Sequence, residues 1–161
     1  MAVQTTYSVY HAEKYAGAVN SVNPYGTVSK LNASDAVVPY GYGVVTDGNG
    51  GMELPSASST ALEFIGIAMR EVNRAYADGE AFGDPIGRDG TVVTFGKVAG
   101  VAGMAVAESE QVFLGVGSAV AGKFMSEAGT GTSAAISITG AKFLESGVED
   151  GAVWISLSIG G

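Results

Sequence analysis

Histidine and cysteine, the side chains that most often carry nucleophilic or metal chemistry, are almost absent from this sequence. It has one histidine, His11, and no cysteine. A His-based catalytic triad or a zinc site with several His or Cys ligands needs more than that. Sixteen Asp and Glu remain, but most stand beside glycine turns, where solvated acids are common, and spacing identifies no catalytic pair. We therefore expect no enzyme activity, no catalytic residue, no metal and no cofactor.

Two glycine-rich segments come close to ligand-binding motifs. Residues 117–123 (GSAVAGK) match the phosphate-loop pattern up to Phe124, which stands where a hydroxyl residue would hold magnesium. Residues 47–51 (DGNGG) begin like a calcium loop, yet Ser58 occupies the position that requires a bidentate glutamate. We interpret both segments as turns.

The composition indicates one folded domain with an acidic surface. The 161 residues are 47% apolar and only 15% charged, which predicts a packed core. The net charge of −8, with only eight Lys and Arg, argues against a nucleic-acid partner, because such binding requires clustered cations. The longest weakly apolar run, residues 98–107, is about half the length of a membrane span, and the first residues lack a signal-peptide pattern. We expect a protein made in the cytoplasm, with no membrane partner.

Short β-branched runs separated by glycine turns predict an all-β fold, either a compact β-barrel or a β-sandwich of short strands. The clearest strand alternates Val153, Ile155, Leu157 and Ile159 on an apolar face with Trp154 on a polar one. The Asp-Gly turn at 150–151 predicts that this strand forms a hairpin with residues 142–144. Residues 104–107 also read as a strand.

The first 35 residues show no sustained period, and strand signals begin at residue 36. We predict a weakly structured, extended N-terminal arm over residues 1–35 and a single β domain over residues 36–161. Tyrosines and the tryptophan are the candidate partner contacts, because they offer large contact area at low entropy cost. The candidates are Tyr7, Tyr10, Tyr15, Tyr25, Tyr40, Tyr42 and Trp154. Packing of the arm tyrosines onto their own domain is the open alternative.

The order and spacing of several short motifs resemble the structural cement (decoration) proteins of tailed-phage capsids. The central motifs are residues 64–68 (FIGIA), 83–86 (GDPI) and 92–98 (VVTFGKV). The later motifs are residues 105–113 (AVAESEQVF), 122–124 (GKF), 138–146 (ITGAKFLES) and 153–157 (VWISL). The resemblance covers about residues 62–159 and is looser before them.

This resemblance implies a structural virion protein that binds the outer surface of an icosahedral capsid and stabilises it. It implies the major capsid protein as partner, a location on the outer capsid surface, and a homo-oligomer, for which we expect a trimer. The alternative function is a carbohydrate-binding or host-attachment β-module, in which exposed Trp154, Tyr40 and Tyr42 would stack on sugars.

Overall fold

Strands make up nearly all the regular structure of the protein. The computed structural model describes residues 14–71 and 82–158, and the all-β prediction is confirmed there. Its strands are β1 (Gly26–Leu31), β2 (Val38–Pro39), β3 (Gly43–Thr46), β4 (Met52–Glu53), β5 (Phe64–Ala68), β6 (Gly83–Asp84), β7 (Asp89–Val101), β8 (Gln111–Gly115), β9 (Phe124–Met125), β10 (Ala135–Phe143) and β11 (Ala152–Ser158). Two 3-10 turns, Ala61–Glu63 and Gly131–Ser133, lie between them.

One large antiparallel sheet, in the order β4-β3-β5-β7-β11-β10-β8-β9, curls into a half-barrel. The 13-residue β7 is the central strand of this sheet, since it pairs with β5, β11 and β1. Two isolated bridges draw distant parts of the sheet together: Asn32 pairs with Met52 of β4, and Ala102, just after β7, pairs with Phe124 of β9. Strands β2 and β6 form a separate small ribbon.

The middle of the sheet is buried on both faces. Ile67 and Val93 belong to the main core, whereas their sequence neighbours Ala68 and Val92 belong to a second core with Val38 of the small ribbon. Because successive strand residues point to opposite faces, near-continuous apolar runs of this kind are what a doubly covered strand requires.

A close crossing of the chain brings β1 to its place. Pro24 and Tyr25 pass directly over Gly96 of β7, which has φ +114. A Cβ atom at position 96 would lie 2.6 Å from the Cβ of Tyr25 and 2.9 Å from the carbonyl O of Pro24. Glycine is therefore required at position 96 by both its backbone conformation and the approaching segment.

The predicted hairpin at the end of the chain is confirmed. Strands β10 and β11 pair with Phe143 opposite Ile155, and Val153, Ile155 and Leu157 are buried. Ile159 lies outside the described residues.

Two strand predictions are wrong. Residues 26–31, which the prediction places in the arm, form β1. The sequence does not reveal this strand, because a strand that is exposed on both faces has no alternation of apolar and polar residues. Residues 104–107 contribute only a bridge from Val106 to Gly147, since turns on either side leave no room for a ladder.

Candidate partner interface

The seven candidate contact residues have different environments. Tyr7 and Tyr10 lie outside the described residues, as does His11. Tyr15 and Tyr25 are exposed. Tyr42 is half-buried, with its ring against Gly122.

The exposed position expected for Tyr40 is wrong. Tyr40 is only 5% exposed, because it precedes Gly41, whose N–H donates to the carbonyl O of Ala68 at 2.8 Å and holds this segment against the sheet. In this position the ring of Tyr40 offers almost no surface on which a sugar could stack.

Trp154 stands on the outer face of β11, as its place among serines predicts. The register sets Trp154 opposite Ala99 and Ser156 opposite Lys97, and the Lys97 ammonium lies 4.9 Å from the centre of the indole. The backbone N–H of Trp154 donates to a carboxylate oxygen of Glu145 at 2.8 Å. The tryptophan is thus fixed by its strand and by a cation on its ring.

A second aromatic–cation group is built around Arg70. Its guanidinium lies 4.7 Å from the ring centre of Tyr15 and 5.7 Å from that of Phe82. The Arg70 backbone N–H donates to the carbonyl O of Gly17 at 2.9 Å, which ties the end of β5 to the segment that carries Tyr15. Contacts of this kind stabilise by about 0.5–1 kcal/mol at exposed sites.

An ion pair links the two groups into one surface. Lys14, the neighbour of Tyr15, pairs with Glu145, which also accepts the hydrogen bond from Trp154. We call the set Tyr15, Arg70, Phe82, Lys97 and Trp154 the aromatic–cation patch. Tyr15 and Phe82 are 53% and 60% exposed, so the patch presents large rings to solvent.

The patch has the chemistry of a protein-binding surface. Trp, Tyr and Arg are the residues most enriched among interface hot spots. Arg70 and Lys97 each bring a cation to the rings of the patch, in a chain of net charge −8, while Lys14 and Glu145 offset each other. An acidic or polar protein surface would complement it.

The phosphate-loop-like segment is a turn, as predicted. The backbone N–H groups of Gly117 and Ala119 donate to the carbonyls of Ala134 and Thr132, at 2.9 and 3.0 Å. These groups are therefore not available to cradle a phosphate, and a strand, β9, follows instead of a helix.

Lys123, which would be the phosphate-binding lysine, instead ties down the β10–β11 turn. Its Nζ donates to Oδ1 of Asp150 at 2.5 Å, and this hydrogen bond raises the pKa of Lys123.

The calcium-loop-like segment is also a turn. Oδ1 of Asp47 accepts hydrogen bonds from the N–H groups of Asn49 and Gly51, both at 2.8 Å. Across residues 14–71 and 82–158, no group of three or more His, Cys, Asp or Glu is placed to hold a metal ion. In the same part of the chain, no helix is long and apolar enough to cross a membrane.

Arg70, Phe82, Lys97 and Glu145 were not recognised from the sequence. Their approach to Tyr15 and Trp154 depends on pairings between segments far apart in the chain. Only Lys97 could have been found from a predicted strand pairing. If β11 is paired with β7 in the observed register, Lys97 lies on the same outer face as Trp154.

Comparisons with known proteins agree with this architecture. The family model described as structural cement protein (E217 gp24/Pam3 gp6) matches residues 3–158. A solved chain from "The capsid of Myoviridae Phage XM1" is similar in fold, with a TM-score of 0.74 and 21% sequence identity over 99% of each chain. No curated protein matches the chain. The match over nearly the whole sequence shows that this chain belongs to the structural cement proteins, a family of phage capsid proteins.

Proposed function

We propose that this protein binds the outer surface of an icosahedral phage capsid, where it contacts the major capsid protein and stabilises the shell. The observation that carries the proposal is the family match over residues 3–158. The protein would be made in the host cytoplasm and act on the virion as a homotrimer without catalysis. Many modest contacts repeated over a shell give large stabilisation through multivalency.

The aromatic–cation patch is the surface that we assign to partner contact. Its rings are held by cations and by strand pairing, so little side-chain entropy remains to be lost on binding. Trp154 stands at one end of the patch and Tyr15 with Arg70 at the other. Tyr7 and Tyr10 precede Tyr15 in the same N-terminal segment, and we include them as anchors that extend this surface.

Co-sedimentation with capsids that lack the cement protein tests the proposal. Full-length protein should bind such shells and raise their resistance to heat. Removing a hot-spot side chain costs at least about 2 kcal/mol, or about a 30-fold loss of affinity, and we expect that loss for Trp154→Ala. Leu62→Ala is the matched control, because Leu62 is exposed but lies in the 3-10 turn, outside the patch.

Two results would contradict the proposal at different levels. Failure of the full-length protein to bind any capsid would remove the cement function, and glycan-array binding would then favour the carbohydrate-binding alternative. Equal binding by wild type and Trp154→Ala would leave the cement function in place but remove the patch from the contact.

A further inference from the structure

Strand β1 is attached to the large sheet mainly by one neighbour. Among the described residues, Gly26–Leu31 form a ladder only with β7, and just after the strand Asn32 makes a bridge to Met52 of β4. Thr27, Val28 and Ser29 are all exposed, although consecutive strand residues point to opposite faces. Neither face of β1 is therefore covered. Ahead of the bridge to Met52, from Gly26 to Ser29, its second edge is unpaired within the part of the chain that the structure describes.

This edge lacks the features that usually prevent strand addition. Proteins block sheet edges with proline, charge or a covering loop. β1 has no proline, and its single charged residue, Lys30, directs its Nζ back to the carbonyl O of Gly50 at 3.1 Å. Val28 and Leu31 are 38% and 46% exposed, and Tyr25, just before the strand, is 40% exposed. Over Gly26–Ser29 the edge is uncharged and partly apolar, which suits an added β-strand.

We propose that residues 3–10 of a second copy add to this edge, so that each copy donates its N-terminal segment to β1 of the next. This contact rests on the proposed homo-oligomer, and it is the one that would join neighbouring copies into a ring. Residues 3–10 read VQTTYSVY, and six of these eight residues are β-branched or aromatic, the types favoured in strands. Residues 2–10 and 20–29 contain no Asp, Glu, Lys or Arg, so no like charges oppose this contact between acidic copies.

The path of the chain favours a second copy over the protein's own arm. Gly17 and Asn20 donate to the carbonyls of Ala99 and Lys97, so the chain advances towards β1 from residue 17 onwards. Lys14, which pairs with Glu145 next to Trp154, therefore lies at the Ala99 end of this path and not at the β1 end. The four steps from Tyr10 to Lys14, through residues 11–13, span at most about 13 Å at about 3.3 Å per residue. The β1 ladder starts at Phe95, and the stretch of β7 from Ala99 to Phe95 is also four steps, or about 13 Å, long. To reach the β1 edge of its own chain, the linker would therefore need its full length for that stretch alone, and it would also have to reverse direction and cross β7.

The proposed contact joins two different surfaces of each copy. One copy supplies its N-terminal segment and the next supplies its β1 edge, so the interface is heterologous. Heterologous contacts close into rings when the rotation permits. The inference is thus compatible with a trimer, whereas two β1 edges paired across a two-fold axis would give a dimer.

Introduced cysteines test the contact directly, because the chain has none of its own. A Ser29→Cys variant is mixed with a size-tagged variant carrying Thr5→Cys, Thr6→Cys or Ser8→Cys, and the mixture is mildly oxidised. We expect a disulfide-linked pair containing one chain of each kind, from at least one of the three positions. Ser58→Cys in place of Ser29→Cys is the control, since Ser58 is exposed in a loop whose residues Ser56 and Ala57 lie beside Gly117 and Thr132.

Deletion of residues 2–10 provides an independent measurement. The truncated protein should sediment as a monomer where the full chain is an oligomer, while circular dichroism melts show a folded β-core. A double variant with Thr6→Cys and Ser29→Cys that forms only an intrachain disulfide at low concentration would overturn the inference. So would absence of a linked pair at all three positions, or a truncated protein that still forms the oligomer. If such a truncated protein also binds capsids, the proposed function stands without this contact, whereas a full-length protein that cross-links but binds no capsid removes the proposed function alone.

Discussion

Replacing Ile155 and Trp154 separately by alanine should have opposite consequences, although the two residues are neighbours on β11. Ile155 is fully buried in the main core. Its Cδ1 lies so close to Gly100 that a Cβ there would stand 2.6 Å away. Deleting such a side chain costs about 2–5 kcal/mol through lost transfer energy and the remaining cavity. With about 2–4 °C per kcal/mol for a domain of this size, Ile155→Ala should lower Tm by roughly 4–20 °C.

Trp154 faces outwards, so its removal should cost much less stability. The loss includes the contact with Lys97, about 0.5–1 kcal/mol, and part of the apolar burial of a half-exposed ring. We expect Trp154→Ala to lower Tm by only a few degrees and to weaken capsid binding or association instead. Circular dichroism melts at one protein concentration, with urea titrations and sedimentation velocity, measure these effects. Equal destabilisation by both substitutions, with association intact, would refute the assignment of the two faces.

Three further predictions follow from single contacts. Gly96→Ala should lower Tm more than Gly48→Ala, because both have positive φ but only position 96 adds a clash, whereas position 48 has nothing within 4 Å; equal losses would exclude the crossing of the chain over β7 as the cause. The hydrogen bond that Lys123 donates to Asp150 raises the pKa of Lys123, so its stabilisation should be present below the ordinary lysine pKa of about 10.4 and be lost as pH rises through the raised value; a urea-midpoint advantage over Lys123→Met that persists or grows above that pH would contradict this sign. Arg70→Lys should weaken capsid binding with little change in Tm, since an ammonium lacks the planar face with which a guanidinium stacks on aromatic rings; unchanged binding would place Arg70, Tyr15 and Phe82 outside the contact.

The end of the fold could be predicted because its sequence signals are local. Alternating apolar residues on β11 and an Asp-Gly turn define a hairpin without reference to the rest of the chain. Strand β10 is harder to recognise from the sequence, because Gly140 with φ +81 interrupts its pattern. The glycines of β7 conceal its length in the same way, since Gly96 and Gly100 are needed for close approaches by Tyr25 and Ile155.

The candidate interface could be predicted only in part. An outward Trp154 follows from its place among serines, but the positions of Tyr40 and Tyr15 depend on tertiary contacts. Tyr40 is buried because the chain after β2 folds against the sheet, and a tyrosine beside glycines carries no sign of that. Tyr15 meets Arg70 only because the segment before β1 lies beside β7 and the end of β5. Sequence patterns report faces and turns, whereas such approaches are set by packing.

Cryo-electron microscopy of capsids reconstituted with this protein tests the central claim most directly. Shells assembled without the protein are incubated with it and compared with untreated shells. The proposal predicts added density on the outer face of the shell, into which the β-fold can be placed with Trp154 and Arg70 next to the major capsid protein. Absence of added density, or density confined to the inner face, would contradict it.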